Sequence, residues 1–308
     1  MKSLLFSCFL LFWANGHTQN YLDLLTVGYS TTPNTGYDSA LSNTQTRITN
    51  MDLNLLLPIP LSKKTAILTG FNGYMNSLNL SPDGPKTELY TAAVQLGLNK
   101  TYTNGWSSTH LLFPRKTGAY NQKRFSYQIG MANLLQKKLS NGNGWGFGFY
   151  MNTEEQGLLF VPLFSYFLRA ESGLWEFNAL LPSRADFTFL LDHKIRAGIG
   201  FEGLGNSYAT TLEPYGDSYV QRSSAEVSPY LQFPITKNLL LNVRGGYAFF
   251  RGYRVYDTSD TVKFSFLNLF INSSRTPLNA SVDDGFFFGL KLFYRYYLTP
   301  PTKIHRAD

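Results

Sequence analysis

Ten charged residues stand where a charge has to be partnered or used: Asp52, Glu176, Arg184, Asp186, Arg196, Glu202, Glu226, Arg244, Lys291 and Arg295. Each lies on the polar side of a segment whose alternate residues are apolar. Rings of such charges around an enclosed passage would select an ion or solute by sign. Paired with one another, they would instead prop an interior, because a buried charge is tolerated when it has a partner. Acids and bases are equal in number among them, and that balance favours pairing.

Other chemistry finds little support. His110, His193 and His305 fall on separate elements, whereas a metal needs several ligands converging on one point. Ser107, Ser108 and His110 are the nearest approach to a nucleophile and base, with Ser108 and His110 on one face. No glycine-flanked nucleophile turn accompanies them, however, so no catalytic residue and no metal site is expected. No phosphate loop or dinucleotide fingerprint is present and no cofactor is expected.

The charges need elements that turn them to one side. The pattern of 285–298 shows what kind. Phe286, Phe288, Leu290, Leu292, Tyr294, Tyr296 and Leu298 alternate with a set that includes Gly289, Lys291 and Arg295. A period of two is the signature of a strand. The same beat predicts strands at 21–30, 47–57, 65–75, 88–99, 106–113, 124–136, 145–151, 158–168, 195–205, 224–233 and 239–253. Shorter ones are predicted at 175–181 and 185–191. The count is fourteen, or twelve if the short hairpin is not part of the wall. Short turns at 58–64, 141–144, 192–194 and 234–237 alternate with long connections at 31–45, 114–123, 206–219 and 254–284.

Register gives an internal test, since a slip of one residue would turn every side chain over. A turn centred on His193 places Arg184 opposite Glu202. One centred on Thr236 places Ser228 opposite Arg244, with Glu226 one step away diagonally.

Composition leans away from an ordinary soluble domain. Charged residues make up 15% of the 308-residue chain and aromatics 16%, against about 25% charged in typical soluble domains. Beyond the first fifteen residues no apolar run is long enough for a spanning helix, and a membrane protein without such helices must be a closed barrel. At the amino end, Lys2 precedes an apolar run with small residues Gly16 and Thr18, which predicts a cleaved secretory signal over 1–18. Cys8, the only cysteine, lies within that run. A lipoprotein reading would leave too few apolar residues before Cys8, so the mature chain is expected to lack thiols. The net charge of +7 is scattered, which suits anionic lipid headgroups at membrane rims rather than nucleic acid.

A soluble sandwich alternates as well, with its apolar face inward. Three features favour the membrane: aromatics bracketing the strands at Trp106, Trp145, Trp175, Tyr296 and Tyr297; loops alternating long and short; and a polar face of Gly, Ser, Asn and isolated charges. The expected architecture is all-β, a transmembrane antiparallel up-and-down barrel of 12–14 strands. It forms one domain over 19–308 with a short periplasmic tail.

Tyr21-Leu22-Asp23, Pro58-Ile59-Pro60-Leu61, Asn152, Glu154 and Gly157, Leu181-Pro182-Ser183, and Arg275-Thr276-Pro277-Leu278-Asn279 together resemble a family of Gram-negative outer-membrane β-barrel proteins defined by a domain of unknown function. The resemblance covers about residues 21–298 and implies a fold and an outer-membrane location, with no activity or functional residues to carry over. The closing strand, with its glycine and alternating aromatics, would engage the barrel-assembly machinery, and outer-membrane lipid would surround the wall. The expected function is a passive or gated pore for small polar or amphiphilic solutes. The alternative is a closed structural barrel that presents its long loops to a protein or glycan partner. The longest connection, 254–284, carries Phe264, Phe266, Leu267, Leu269, Phe270 and Ile271. It is expected to cap the rim, constrict the lumen or meet a partner.

Overall fold

The computed structural model describes residues 21–38, 44–82, 84–120, 122–192, 194–213, 215–267 and 275–298. The expected signal segment, Cys8, His193, His305, the 299–308 tail and Leu269, Phe270 and Ile271 lie outside the described residues.

The strands are β1 (Tyr21–Thr31), β2 (Thr49–Ser62), β3 (Thr65–Asn79), β4 (Lys86–Thr101), β5 (Trp106–Ala119), β6 (Phe125–Lys138), β7 (Gly144–Glu154) and β8 (Gly157–Arg169). They continue with β9 (Trp175–Leu181), β10 (Arg184–Leu190), β11 (Arg196–Leu212), β12 (Gly216–Pro234), β13 (Leu239–Asp257), β14 (Phe264–Phe266) and β15 (Gly285–Tyr297). All but β14 form one ring in chain order, antiparallel throughout, and β1 closes it on β15. The short β9–β10 hairpin bonds to β8 on one side and β11 on the other, so it belongs to the wall and the ring has 14 strands.

The ring settles the choice between barrel and sandwich. On β15, Phe286, Phe288, Leu290 and Tyr294 are exposed on the outside, while Arg295 is buried within. Met51, Leu57, Ile59, Leu96, Leu112, Phe147, Phe164 and Ile199 extend the same exposed apolar surface around the wall. No second sheet covers that surface among the described residues, and it has the character of a face that meets hydrocarbon. Trp106, Trp145, Trp175 and Tyr297 cluster at the end that carries Tyr21, here the near end; the Trp106 and Trp145 rings meet edge-on at 5.7 Å.

Several boundaries differ from the sequence reading. β2 continues through Pro58 and Pro60, leaving a turn only at 63–64. β1 partners β2 no further than Leu55, so the missing N–H groups of the two prolines fall on a free edge and cost no ladder bond. β5 runs on to Ala119, and β11 and β12 run through most of 206–219, so the far-end connections there shrink to 120–124 and 213–215. In these stretches both faces meet polar or packed surroundings, so apolar alternation fades while backbone pairing continues. The β12–β13 turn occupies 235–238 and puts Tyr230, not Ser228, opposite Arg244, while Glu226 faces Ala248. That shift of two positions keeps each residue on its face. Arg184 does stand opposite Glu202.

Among the described residues the far end is densely packed. β12 and β13 bend at a bulge where the register jumps between Ser223 and Ala225, and Phe250 takes φ 53°, a conformation rare for a bulky residue. Beyond the bend, the far half of β11 leans across the barrel onto β4, β5 and β6. Tyr208, Leu212, Val220, Tyr253 and Val255 pack there with Leu78, Leu89, Ile48, Tyr37 and Val282 in one buried cluster. Residues 275–284, which lead into β15, pack on this insert. Asn279 donates to the carbonyls of Leu80 and Tyr253 at 2.6 and 2.9 Å, and the Arg275 guanidinium lies 4.5 Å from the Tyr256 ring.

Candidate functional site: the charged interior

At the near end, Arg295 donates to both Asp23 carboxylate oxygens, at 2.7 and 2.9 Å, and its guanidinium lies 3.7 Å from the Tyr21 ring. The Tyr21 hydroxyl donates to Glu176 Oε1 at 2.6 Å, a contact that spans the barrel from β1 to β9. Asp186 accepts from the hydroxyls of Thr188 (2.6 Å) and Tyr230 (2.8 Å). Glu176 and Asp186 are thus held by phenols from β1 and β12, Asp186 also by the Thr188 hydroxyl of its own strand.

At mid-height, Glu202 takes both Lys291 and Arg244, the latter at 3.1 Å. Glu202 also stands directly opposite Glu226 in the β11–β12 ladder. Like charges in that position repel, so the two cations offset a local cost. Glu226 turns away to Arg222 at 3.8 Å and to the Ser224 hydroxyl at 3.3 Å. Asp52 stands opposite Gly28 and leans over it: an added Cβ there would come within 2.0 Å of the Asp52 carboxylate. Among the described residues Asp52, Arg184 and Arg196 form no ion pair. Arg184 in particular does not bond Glu202 despite its register, because Glu202 is committed to β13 and β15.

The most deeply buried pair escaped sequence reasoning. Arg115 binds Glu154 at 2.5 Å, with side-chain exposures of 8% and 1%. Glu154 also accepts from Asn152 (2.6 Å), from the Ser207 N–H (2.8 Å) and from the Ser207 hydroxyl (2.5 Å). Gln128 adds a bond from Arg115 Nε at 2.8 Å and donates to the Ser207 hydroxyl at 3.2 Å. This cluster pins β11 to β5, β6 and β7 across the barrel. The sequence pattern puts Arg115 in the connection 114–123, and marks Asn152 and Glu154 only as part of a short motif. Arg222, equally buried, lies just past another expected loop.

The arrangement holds charge and hydrogen-bonding groups in place. His110 Nδ1 meets Asn133 Oδ1 at 2.6 Å and Ser108 Oγ meets the Tyr102 hydroxyl at 3.0 Å, so those two side chains are engaged elsewhere.

Glu202→Gln tests the mid-height group. It leaves two cations around a neutral amide and is expected to cost about 1–3 kcal/mol, the scale of hydrogen bonds to charged groups. Combining it with Lys291→Met should cost less than the sum of the two single changes, because the pair acts as a unit. Urea unfolding in detergent micelles measures both, and strict additivity would show that the pair is not coupled.

No protein-family model and no curated protein matches the chain. Among solved structures, it is similar to an outer membrane channel from Pseudomonas putida F1 (TM-score 0.44, 10% identity, 89% of this chain and 96% of that one). It is also similar to the TodX monoaromatic hydrocarbon channel in a deltaS2 mutant (TM-score 0.40, 8% identity, 92% of each chain). A third similar structure is the translocator domain of the autotransporter NalP from Neisseria meningitidis (TM-score 0.34, 7% identity, 96% of each chain).

Proposed function

We propose that this protein is a Gram-negative outer-membrane barrel that acts as a gated pore for small polar or amphiphilic solutes, without covalent chemistry. The observation that carries this reading is the contrast across one wall. Outside is a continuous apolar face; inside, alongside the charge groups, are buried polar atoms without protein partners, among them Asn50 Oδ1, Thr91 Oγ1, Asn242 Oδ1 and Arg244 Nε. A purely supporting interior would pair such atoms or replace them with apolar ones. Closed off here, they would take the place of a solute's hydration once a gate opened the interior. The charged residues then serve two ends: Glu202 with Lys291 and Arg244 sets the selectivity, and Arg295 with Asp23 braces the near end. Export by a cleaved 1–18 signal, insertion by the barrel-assembly machinery through β15, and a surround of outer-membrane lipid belong to the same reading.

The packed far end favours a second reading, a closed barrel whose loops dock a protein or glycan. Conductance in planar bilayers separates the two. Tyr208→Ala with Tyr253→Ala loosens the buried cluster, and under the pore reading it is expected to raise conductance at least several-fold over the wild type. Adding Glu202→Gln should shift ion preference toward anions. No current from either protein would remove the pore reading and leave the docking barrel.

A further inference from the structure

The wall has a gap in its outline. β9 and β10 have 7 residues each, between the 13 of β8 and the 17 of β11. β8 pairs with β9 only from Phe164 onward, and β11 pairs with β10 only up to Glu202. Above the hairpin, residues 157–163 of β8 and 203–212 of β11 therefore lack the two strands that separate them lower down. Three strand spacings make the foot of this opening about 14 Å wide, and seven residues of β8 run about 23 Å along one side; it narrows toward the far end, where β11 leans inward and Ser207 Oγ accepts from the Glu155 N–H at 2.8 Å.

Among the described residues, one short strand occupies this opening. β14 lies parallel to β8 at 158–160, held by the Val262 N–H to the Gln156 carbonyl (2.7 Å) and the Leu267 N–H to the Phe160 carbonyl (3.1 Å). Parallel pairing is the weaker kind, and β14 pairs along this one edge only. Its approach depends on Gly157 (φ 132°), where a Cβ would come within 1.7 Å of the Val262 carbonyl oxygen. Phe264 and Phe266 complete the outer apolar face by stacking on Phe160, which stacks on Phe149. On the opposite side Gly203 still bonds the β9–β10 turn, its N–H donating to the Ser183 carbonyl at 2.8 Å, and beyond Gly205 β11 turns inward, with Ser207, Ala209 and Thr210 at most 1% exposed.

Behind β14 the lining changes character. Leu159 and Leu163 are buried on the inward face of β8, and Ser265, the inward residue of β14, is 1% exposed with an unpartnered hydroxyl. Gln156 Oε1 and Asn152 Oδ1 are also buried without partners. A molecule entering here would leave hydrocarbon, pass leucines and meet unsatisfied hydrogen-bonding atoms.

We propose that this gap is a lateral portal, closed by β14, through which apolar molecules with a small hydrogen-bonding head group pass between the membrane and the barrel interior. Passage rests on the pore reading; the portal itself does not. Leu159 and Ser265 are direct partners in the β8–β14 register, so Leu159→Cys with Ser265→Cys locks the strand in a chain whose Cys8 is replaced by Ser. Leu163→Trp, with the other tryptophans changed to Phe, reports from behind it. In vesicles of brominated phosphatidylcholine, the reduced protein is expected to show at least twofold more tryptophan quenching than the disulfide-locked one, with reductant restoring it. Phe264→Ser with Phe266→Ser, checked for folding by heat-dependent gel migration, should raise quenching without any cysteine. Equal quenching in the locked and reduced proteins, or failure of the two cysteines to cross-link, overturns the portal. Conductance of the reduced protein is read in parallel. Quenching without current would remove the pore and leave the portal as a binding site for the same molecules.

Discussion

Glu154→Ala is expected to lower the midpoint of thermal unfolding in detergent by roughly 10 °C. Breaking a buried ion pair costs about 3–5 kcal/mol because the surviving charge is stranded, and each kcal/mol moves the midpoint of a chain of this size by about 2 °C. Here the stranded group is Arg115, 8% exposed, and Ser207 loses the acceptor for both its N–H and its hydroxyl. The effect should reach beyond the pair, because this cluster holds the far half of β11 across the barrel. Glu154→Gln keeps an acceptor for Ser207 and Asn152 and should lose about half as much. Migration on unheated gels after stepwise heating measures the order of the three proteins. An unchanged midpoint in Glu154→Ala would mean that the insert is held by its apolar cluster alone.

A charge placed on the outer face should be nearly as costly. Leu290 is exposed near the middle of β15, beside Val243 of β13 and Tyr29 of β1. Arginine near the midplane of a lipid-facing barrel wall costs about 2–4 kcal/mol, so Leu290→Arg is expected to lose that much in denaturant titrations in lipid vesicles. Its neighbour on the other face provides the control: Lys291→Arg keeps a cation beside Glu202 and should stay within about 0.5 kcal/mol of wild type, as changes away from packing or charge loss do. Equal costs at both positions would contradict the assignment of faces.

These two sites also show how far the sequence could be read. Leu290 and Lys291 were legible because period-two alternation records which side of a strand meets which solvent, and β15 keeps that contrast along its length. Arg184 opposite Glu202 was legible because a tight turn fixes register. Arg115, Glu154 and Arg222 were not, since they lie where β5, β7 and β12 leave the alternating pattern and enter the packed insert. There, tertiary contacts with strands distant in sequence replace any local signal. The bend at Phe250 was hidden for a related reason: a bulge adds one residue to a strand, and Gly252 beside it is only one of three glycines in β13, with Gly245 and Gly246. Asp23 and Asn279 surfaced only as parts of short motifs, and their partners, Arg295 for the one and Leu80 for the other, lie some 200 or more positions away.

The claim on which all of this depends is that the greasy side of the ring meets hydrocarbon and the polar side encloses an interior. Spin labels placed one at a time along 286–296, in a chain with Cys8 replaced, test it through collision with oxygen and with a water-soluble nickel complex in lipid vesicles. The prediction is a strict two-residue alternation, with 286, 288, 290, 292 and 294 favouring oxygen and 287, 289, 291 and 293 lacking that preference. A flat profile, or a protein that stays in water without detergent with Phe286 and Phe288 shielded from both reagents, would contradict it.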